Sequence, residues 1–180
     1  MITQIDVSGV LARVGPDRRD LVTRPTGRAV RTSIEMELSQ LADVAVVVLD
    51  FTDVRLMDLS CADEVVAKLI HTWVGPGAPA SVCFLVRGHE HHIEYVEEVL
   101  RRQRLELVAE TEGVFRLIGE VADQCRLTFE CLAARGRAAA EDLAADLSWP
   151  LEQVQAALAE LETRRCIVED AGHYLPPHAA

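Results

Sequence analysis

Asp50, Asp58, Ser60 and Asp63 fall within one short stretch, and these residue types support several kinds of chemistry. Ser60 with Asp63 three positions later fits a capping box, in which the hydroxyl satisfies a free N–H at a helix start and the acid complements the positive helix end. The same hydroxyl is a candidate for modification or partner contact, with Asp58 and Asp63 beside it. Asp50 and Asp58, at strand ends on one rim, are candidates to order loops, to bind a metal or to work as an acid–base pair. No histidine stands beside them in sequence to complete such a pair.

The densest group of metal-ligand types is His89-Glu90-His91-His92 with Glu94. On a helix His89 and His92 share a face, as do His91 and Glu94 or Tyr95. The spacing differs from H-E-x-x-H, whose histidines stand four apart, so a solvated first helical turn is expected, without metal or cofactor. Gly75-Pro76-Gly77-Ala78-Pro79 reads as a rim loop, lacking the Gly-Lys-Ser/Thr ending of a phosphate-binding loop. Cys61, Cys83, Cys125, Cys131 and Cys166 form no C-x-x-C pair and are expected as free, mostly buried thiols of a reducing compartment.

The elements that must position these residues alternate in type up to about residue 120. Strands are expected at Ile5–Val14, Val44–Phe51 and Ser81–Val86, with less marked ones at Leu105–Ala109 and Val114–Ile118. Between them lie three amphipathic helices. Their apolar faces carry Val30, Ile34, Leu38 and Leu41; then Ala62, Val65, Val66, Leu69, Ile70 and Trp73; then Ile93, Val96, Val99 and Leu100. This alternation implies an α/β fold with a mixed or mainly parallel sheet. From Asp123 the spacing becomes purely helical: Leu127, Cys131 and Leu132; Leu143, Ala144 and Leu147; Val154, Leu158 and Leu161. Ser148 is the expected cap of the last helix, with Pro150 in its first turn. A hairpin is expected from Cys166–Val168 and His173–Leu175 around Glu169–Gly172. Three helices and a hairpin read as a winged helix, so the expected domains are 1–122 and 123–180, in contact with each other.

The stretch Val47-Val48-Leu49-Asp50-Phe51-Thr52-Asp53-Val54-Arg55-Leu56-Met57-Asp58-Leu59-Ser60 resembles the signature of STAS domains, the fold of anti-sigma-factor antagonists. Leu21-Val22-Thr23-Arg24-Pro25-Thr26-Gly27-Arg28 and Ser60-Cys61-Ala62-Asp63-Glu64 extend the likeness to an uncharacterised bacterial STAS-like family, over roughly the first two-thirds of the chain. The resemblance implies that Ser60 stands where antagonists are phosphorylated by a partner kinase. Cys61 replaces the glycine that usually follows, so only Ser60 and Asp58 carry over.

A formal charge of −11 argues against broad attraction to nucleic acid or anionic membrane, and it favours a basic partner. Within 124–180, five basic residues stand against nine acidic ones, a net of −4. In a DNA-binding winged helix the third helix meets the major groove between phosphate-holding cations. Here Gln153 and Gln155 could reach bases, yet the nearest cations are Arg164 and Arg165 at the far end, so DNA contact is weakly supported. No apolar run approaches the roughly 20 residues that span a bilayer, and the first residues resemble no export signal. Lys68, the single lysine, reads as genome bias and suggests a bacterial source. The expectation is a bacterial, cytoplasmic, non-enzymatic regulator that self-associates and docks a protein, a kinase-like ATPase or anti-sigma-like factor, with serine phosphorylation as the switch. The alternative is a DNA-binding regulator whose first domain senses a signal.

Overall fold

The computed structural model describes residues 2–14, 19–41, 46–74 and 82–180. Val44, Ala45, Ser81 and the rim loop 75–79 lie outside the described residues.

Strand β1 (Ile2–Asp6) runs directly into helix α1 (Val7–Val14), where the sequence predicts one strand over Ile5–Val14. The cause is local. The Asp6 carboxylate accepts bonds from the Ser8 N–H at 2.9 Å and the Ser8 hydroxyl at 2.8 Å, closing a turn that starts a helix. Val7, Val10 and Leu11 then bury at helical spacing, not alternation.

Next come β2 (Asp20–Leu21), α2 (Arg24–Ser39), β3 (Val46–Asp50) and β4 (Leu56–Met57). One continuous helical run, 59–74, follows as α3 (Leu59–Ala62), a π-helical stretch (Asp63–Ala67) and α4 (Lys68–Val74). β5 (Cys83–Arg87), α5 (Glu90–Gln103), β6 (Glu106–Thr111) and β7 (Val114–Gly119) complete the alternating part. The main sheet has the order β1-β3-β5-β6-β7, parallel except for β7, which pairs antiparallel with β6. β2 and β4 pair in parallel beside it. The expected apolar faces of the three amphipathic helices are buried, except that α2 stops at Ser39 and leaves Leu41 exposed.

Gly119 closes β7 with φ +100°, and a Cβ there would stand 2.2 Å from the Leu105 carbonyl oxygen, so only glycine fits this turn. Beyond it lie α6 (Asp123–Arg135), α7 (Ala140–Leu147), α8 (Leu151–Thr163) and the hairpin β8 (Val168–Asp170) with β9 (His173–Leu175). Ala138, between α6 and α7, bridges antiparallel to Tyr174 through reciprocal backbone bonds of 3.1 and 2.8 Å. Three details differ from expectation. α6 buries Cys125, Thr128, Phe129 and Leu132 and leaves Leu127 exposed, because Phe129 sets the face turned to the core. Ser148 adopts a left-handed conformation that ends α7, and Pro150 takes the cap position of α8. The hairpin turn narrows to Ala171-Gly172, both at positive φ as a tight two-residue turn requires.

Both faces of the sheet are covered, which is why its strands read as unbroken apolar runs. Val47, Leu49, Phe84, Val86, Leu107, Ala109 and Ile118 pack beneath α1 to α5. The alternate residues Val48, Leu85, Val108 and Leu117 share one apolar cluster with Phe129, Leu132, Leu143, Val154, Leu158 and Leu161 of the C-terminal helices. β7 ends at Gly119 and α6 starts at Asp123, and the residues on either side of this change meet across the common core. Among the described residues, no helix is long and apolar enough to cross a membrane.

Candidate functional site

The start of the 59–74 helix is built around Asp58. As N-cap it holds extended backbone geometry, and its Oδ1 accepts bonds from the Cys61 N–H at 2.8 Å and the Ser60 hydroxyl at 2.7 Å. Its Oδ2 accepts from the Thr23 N–H at 2.9 Å. Burial acts to raise the Asp58 pKa, but the bonds from Thr23, Ser60 and Cys61 outweigh it and hold the carboxylate below its usual range. The predicted capping box does not form: the cap stands two residues earlier, at Asp58. Asp58 caps the helix, while Ser60 is a half-buried donor to that cap and Asp63 takes no part in it. The backbone puts the acceptor at 58 because β4, paired to β2, delivers the chain there in extended form.

Thr23 has φ +71°, an outlier for a β-branched residue. It is held from both sides: its N–H by Asp58, and its carbonyl by the Gly27 N–H at 3.1 Å and the Cys61 thiol at 3.1 Å. Such a conformation persists where surroundings over-determine it, which ties the start of α2 rigidly to the start of α3. Gly27 lets the helices touch, since a Cβ there would meet Cys61 Cα and Glu64 Cβ at 3.1 Å each. The Cys61 thiol is buried and pushed up to about 12, by burial first and then by the Asp58 charge, so it stays a protonated packing group.

The π-helical stretch adds a residue within the turn and carries Asp63 and Glu64 side by side. Glu64 is fully buried, yet three cations reach it: Arg24 at 2.8 Å, Arg31 at 3.5 Å, and Lys68, which donates a hydrogen bond from the next turn. Burial works to raise its pKa. Bonds from Lys68 and Arg24 and the charges of Lys68 and Arg31 overcome that and lower it, so Glu64 is a carboxylate. Asp63 pairs with Arg24 at 2.9 Å and Lys68 at 3.8 Å. Ser60, Asp63, Arg24 and Arg102 line a common cleft of about 400 Å³ between α2, the 59–74 helix and α5. Sequence reading singles out Asp58, Ser60 and Asp63; Thr23, Arg24 and Glu64 enter it only within the motifs of the STAS-like likeness, with no role assigned, and Arg31 does not enter it. The i,i+4 spacing of Glu64 and the sole lysine was a further local signal; Arg24 and Arg31 arrive through tertiary packing.

The other candidates separate from this site. Asp50 accepts from Gln4 at 2.8 Å and the Thr52 N–H at 2.9 Å and faces Arg87 at 3.5 Å, so it ties β1, β3 and β5 together and shares no partner with Asp58. His89 caps α5 by position and stacks on His91 at 5.8 Å, whereas His92 turns inward and is fully buried. The expected solvated turn thus holds for His89 and His91 and fails for His92. Neither His92 ring nitrogen meets a partner in hydrogen-bond geometry. Burial, then the charges of His91 and His89, push it down to about 4, the Arg55 backbone offsetting part of this. Among the described residues, no three of His, Cys, Asp and Glu converge to hold a metal ion.

At the C-terminal part, Gln155 is exposed and Gln153 half-buried near the start of α8. Arg164 and Arg165 follow the other end, roughly 16 Å along the axis at 1.5 Å per residue. Arg164 turns toward the sheet, donating to the Arg104 carbonyl at 3.4 Å and facing buried Glu106 at 3.9 Å. Gln153 and Gln155 thus stand a helix length away from Arg164 and Arg165. Burial raises the Glu106 pKa, with Arg164 opposing and Glu160 adding to the rise.

No family model matches the chain, and neither a curated protein nor a solved structure matches it.

Proposed function

We propose that this chain is a regulatory protein that works through protein–protein contact at the rim 56–63, with Ser60 as its switch. The carrying observation is the division of labour at the helix start: Asp58 does the capping, which leaves Ser60 unnecessary for it. Ser60 instead stands half-buried in the cleft, its hydroxyl held at 2.7 Å from a carboxylate. Leu56, a large apolar side chain more than half exposed two residues before Asp58, supplies contact area on the same rim. A phosphate on Ser60 would add charge beside Asp58 and Asp63 and change which partner surface fits.

The sequence likeness to STAS domains and the mixed five-strand sheet support a STAS-like first part. The order helix, bridging residue, helix, helix, hairpin supports a winged helix in the second. In this reading the C-terminal part serves self-association or a second protein contact, because Arg164 is committed to the sheet and the region carries net negative charge. A photo-cross-linking residue at Leu56 should trap a specific partner in the native host, and the same residue at exposed Leu127 should not. Equal trapping at both positions, or none at Leu56, contradicts docking at the rim.

A further inference from the structure

Arg24 lines two open cavities, the 400 Å³ cleft beside Ser60 and a second of about 570 Å³ lined by Arg24, Pro25, Arg28, Ala29 and Thr32. Each lies within the size range of small-molecule sites. In a protein of net charge −11 these linings are cationic: Arg24, Arg28 and Arg102 stand against Asp63 alone. The Asp63 charge is itself covered by Arg24 and Lys68.

The cations also have donors to spare. Arg24 meets both Asp63 and Glu64 through the same Nη1, so its Nε and Nη2 take no described partner. Arg102 pairs with Glu98 through Nε and Nη2, leaving Nη1. Arg28 makes no ion pair among the described residues. Thr32 and Gln103 add neutral donors to the linings, Ser60, whose proton goes to Asp58, offers an acceptor, and Leu59 and Val99 add an apolar wall. Buried Glu64 anchors Arg24 from beneath, so its guanidinium is held in place before any ligand arrives.

We propose that this double cavity binds a small molecule bearing a phosphate group, seated between Arg24 and Arg102 and extending past Arg24 toward Arg28. Planar guanidinium forks match phosphate oxygens two bonds at a time, and a partly enclosed site strengthens them. Because Ser60 lines the same cleft, the bound ligand covers the hydroxyl. Ligand binding here needs no protein partner and is independent of docking at the rim.

Inorganic pyrophosphate is the probe, added to the full chain in a phosphate-free buffer with sodium chloride matched for ionic strength. At roughly ten times its dissociation constant the melting temperature should rise by about 3–6 °C, saturably. Arg28→Gln combined with Arg102→Gln alters two exposed side chains outside the Glu64 cluster, so the variant should melt near the parent. It should bind pyrophosphate at least about tenfold more weakly by titration calorimetry. No saturable shift in the parent, or an unchanged dissociation constant in a folded double variant, overturns the proposal. Should the double variant fail to fold, Arg102→Gln alone must still weaken binding, and an unchanged constant overturns the proposal there as well. Rim cross-linking at Leu56 is read separately, so either claim can fail without the other.

Discussion

Ending the chain after Glu120 would strip one whole face of the sheet. Val48, Leu85, Val108 and Leu117 are each at least nine-tenths buried against the C-terminal helices. Full burial of a Val or Leu side chain contributes about 1.5–3 kcal/mol, so the four together represent about 6–12 kcal/mol. That equals much of the roughly 5–15 kcal/mol by which a whole domain is stable. Hydration of buried Glu106 returns part of this, because the fragment also frees it from the desolvation that raises its pKa. The fragment 1–120 should therefore be unfolded, or should associate through the bare face. Circular dichroism melting combined with light scattering tests this. A monomeric fragment that melts cooperatively within a few degrees of the full chain refutes the shared core and makes residues 1–122 an independent domain.

Asp58→Ala should cost about 1–2 kcal/mol by removing the helix cap and the Thr23 tether, whereas Ser60→Ala should cost less than about 1 kcal/mol; chemical denaturation ranks the two, and the reverse order places the cap at Ser60. Glu64→Gln should destabilise by about 1–3 kcal/mol, the half-exposed Arg24 and Lys68 being able to rehydrate. The Glu64 pKa is lowered in the fold, so its contribution is present above about pH 4.5 and lost as pH falls through the folded value; the variant should lose less stability than the parent over that acid range. His92 shifts from 6.5 to about 4, so the unfolded chain takes up the proton first and stability falls as pH drops between those values. His92→Leu should flatten that limb, which amounts to about 2–3 kcal/mol in melts run from pH 7 to 4; an unchanged slope removes His92 as its source.

The sheet was legible because its strands are buried on both faces and read as continuous apolar runs, and the helices because Val30, Val65, Ile93 and their neighbours recur at helical spacing. Residues 7–14 were not. Their apolar content suits strand or helix alike, and the choice falls to bonds that Ser8 donates to the Asp6 carboxylate, which composition does not reveal. The candidate site was visible only where it is local. Asp58, Ser60 and Asp63 lie within one turn, but the competition between two possible caps is decided by where β4 delivers the backbone. Thr23, Arg24 and Arg31 come from α2 and its approach, more than thirty residues away in sequence, and reach the site only because Gly27 permits close helix contact. Buried Glu106 was equally hidden, since a glutamate in an amphipathic strand reads as solvent-facing unless a second layer covers that face.

The switch assigned to Ser60 is tested most directly by quantifying, by mass spectrometry, the proteins captured from native-host extract by the parent chain, Ser60→Ala and Ser60→Asp. With Asp58 intact, all three should melt within a few degrees of one another. Ser60→Ala should capture the rim partner as the parent does, and Ser60→Asp should gain or lose it by at least about tenfold, the change expected when a charge is placed in a contact. Equal capture by all three, with the partner still cross-linking at Leu56, contradicts the switch.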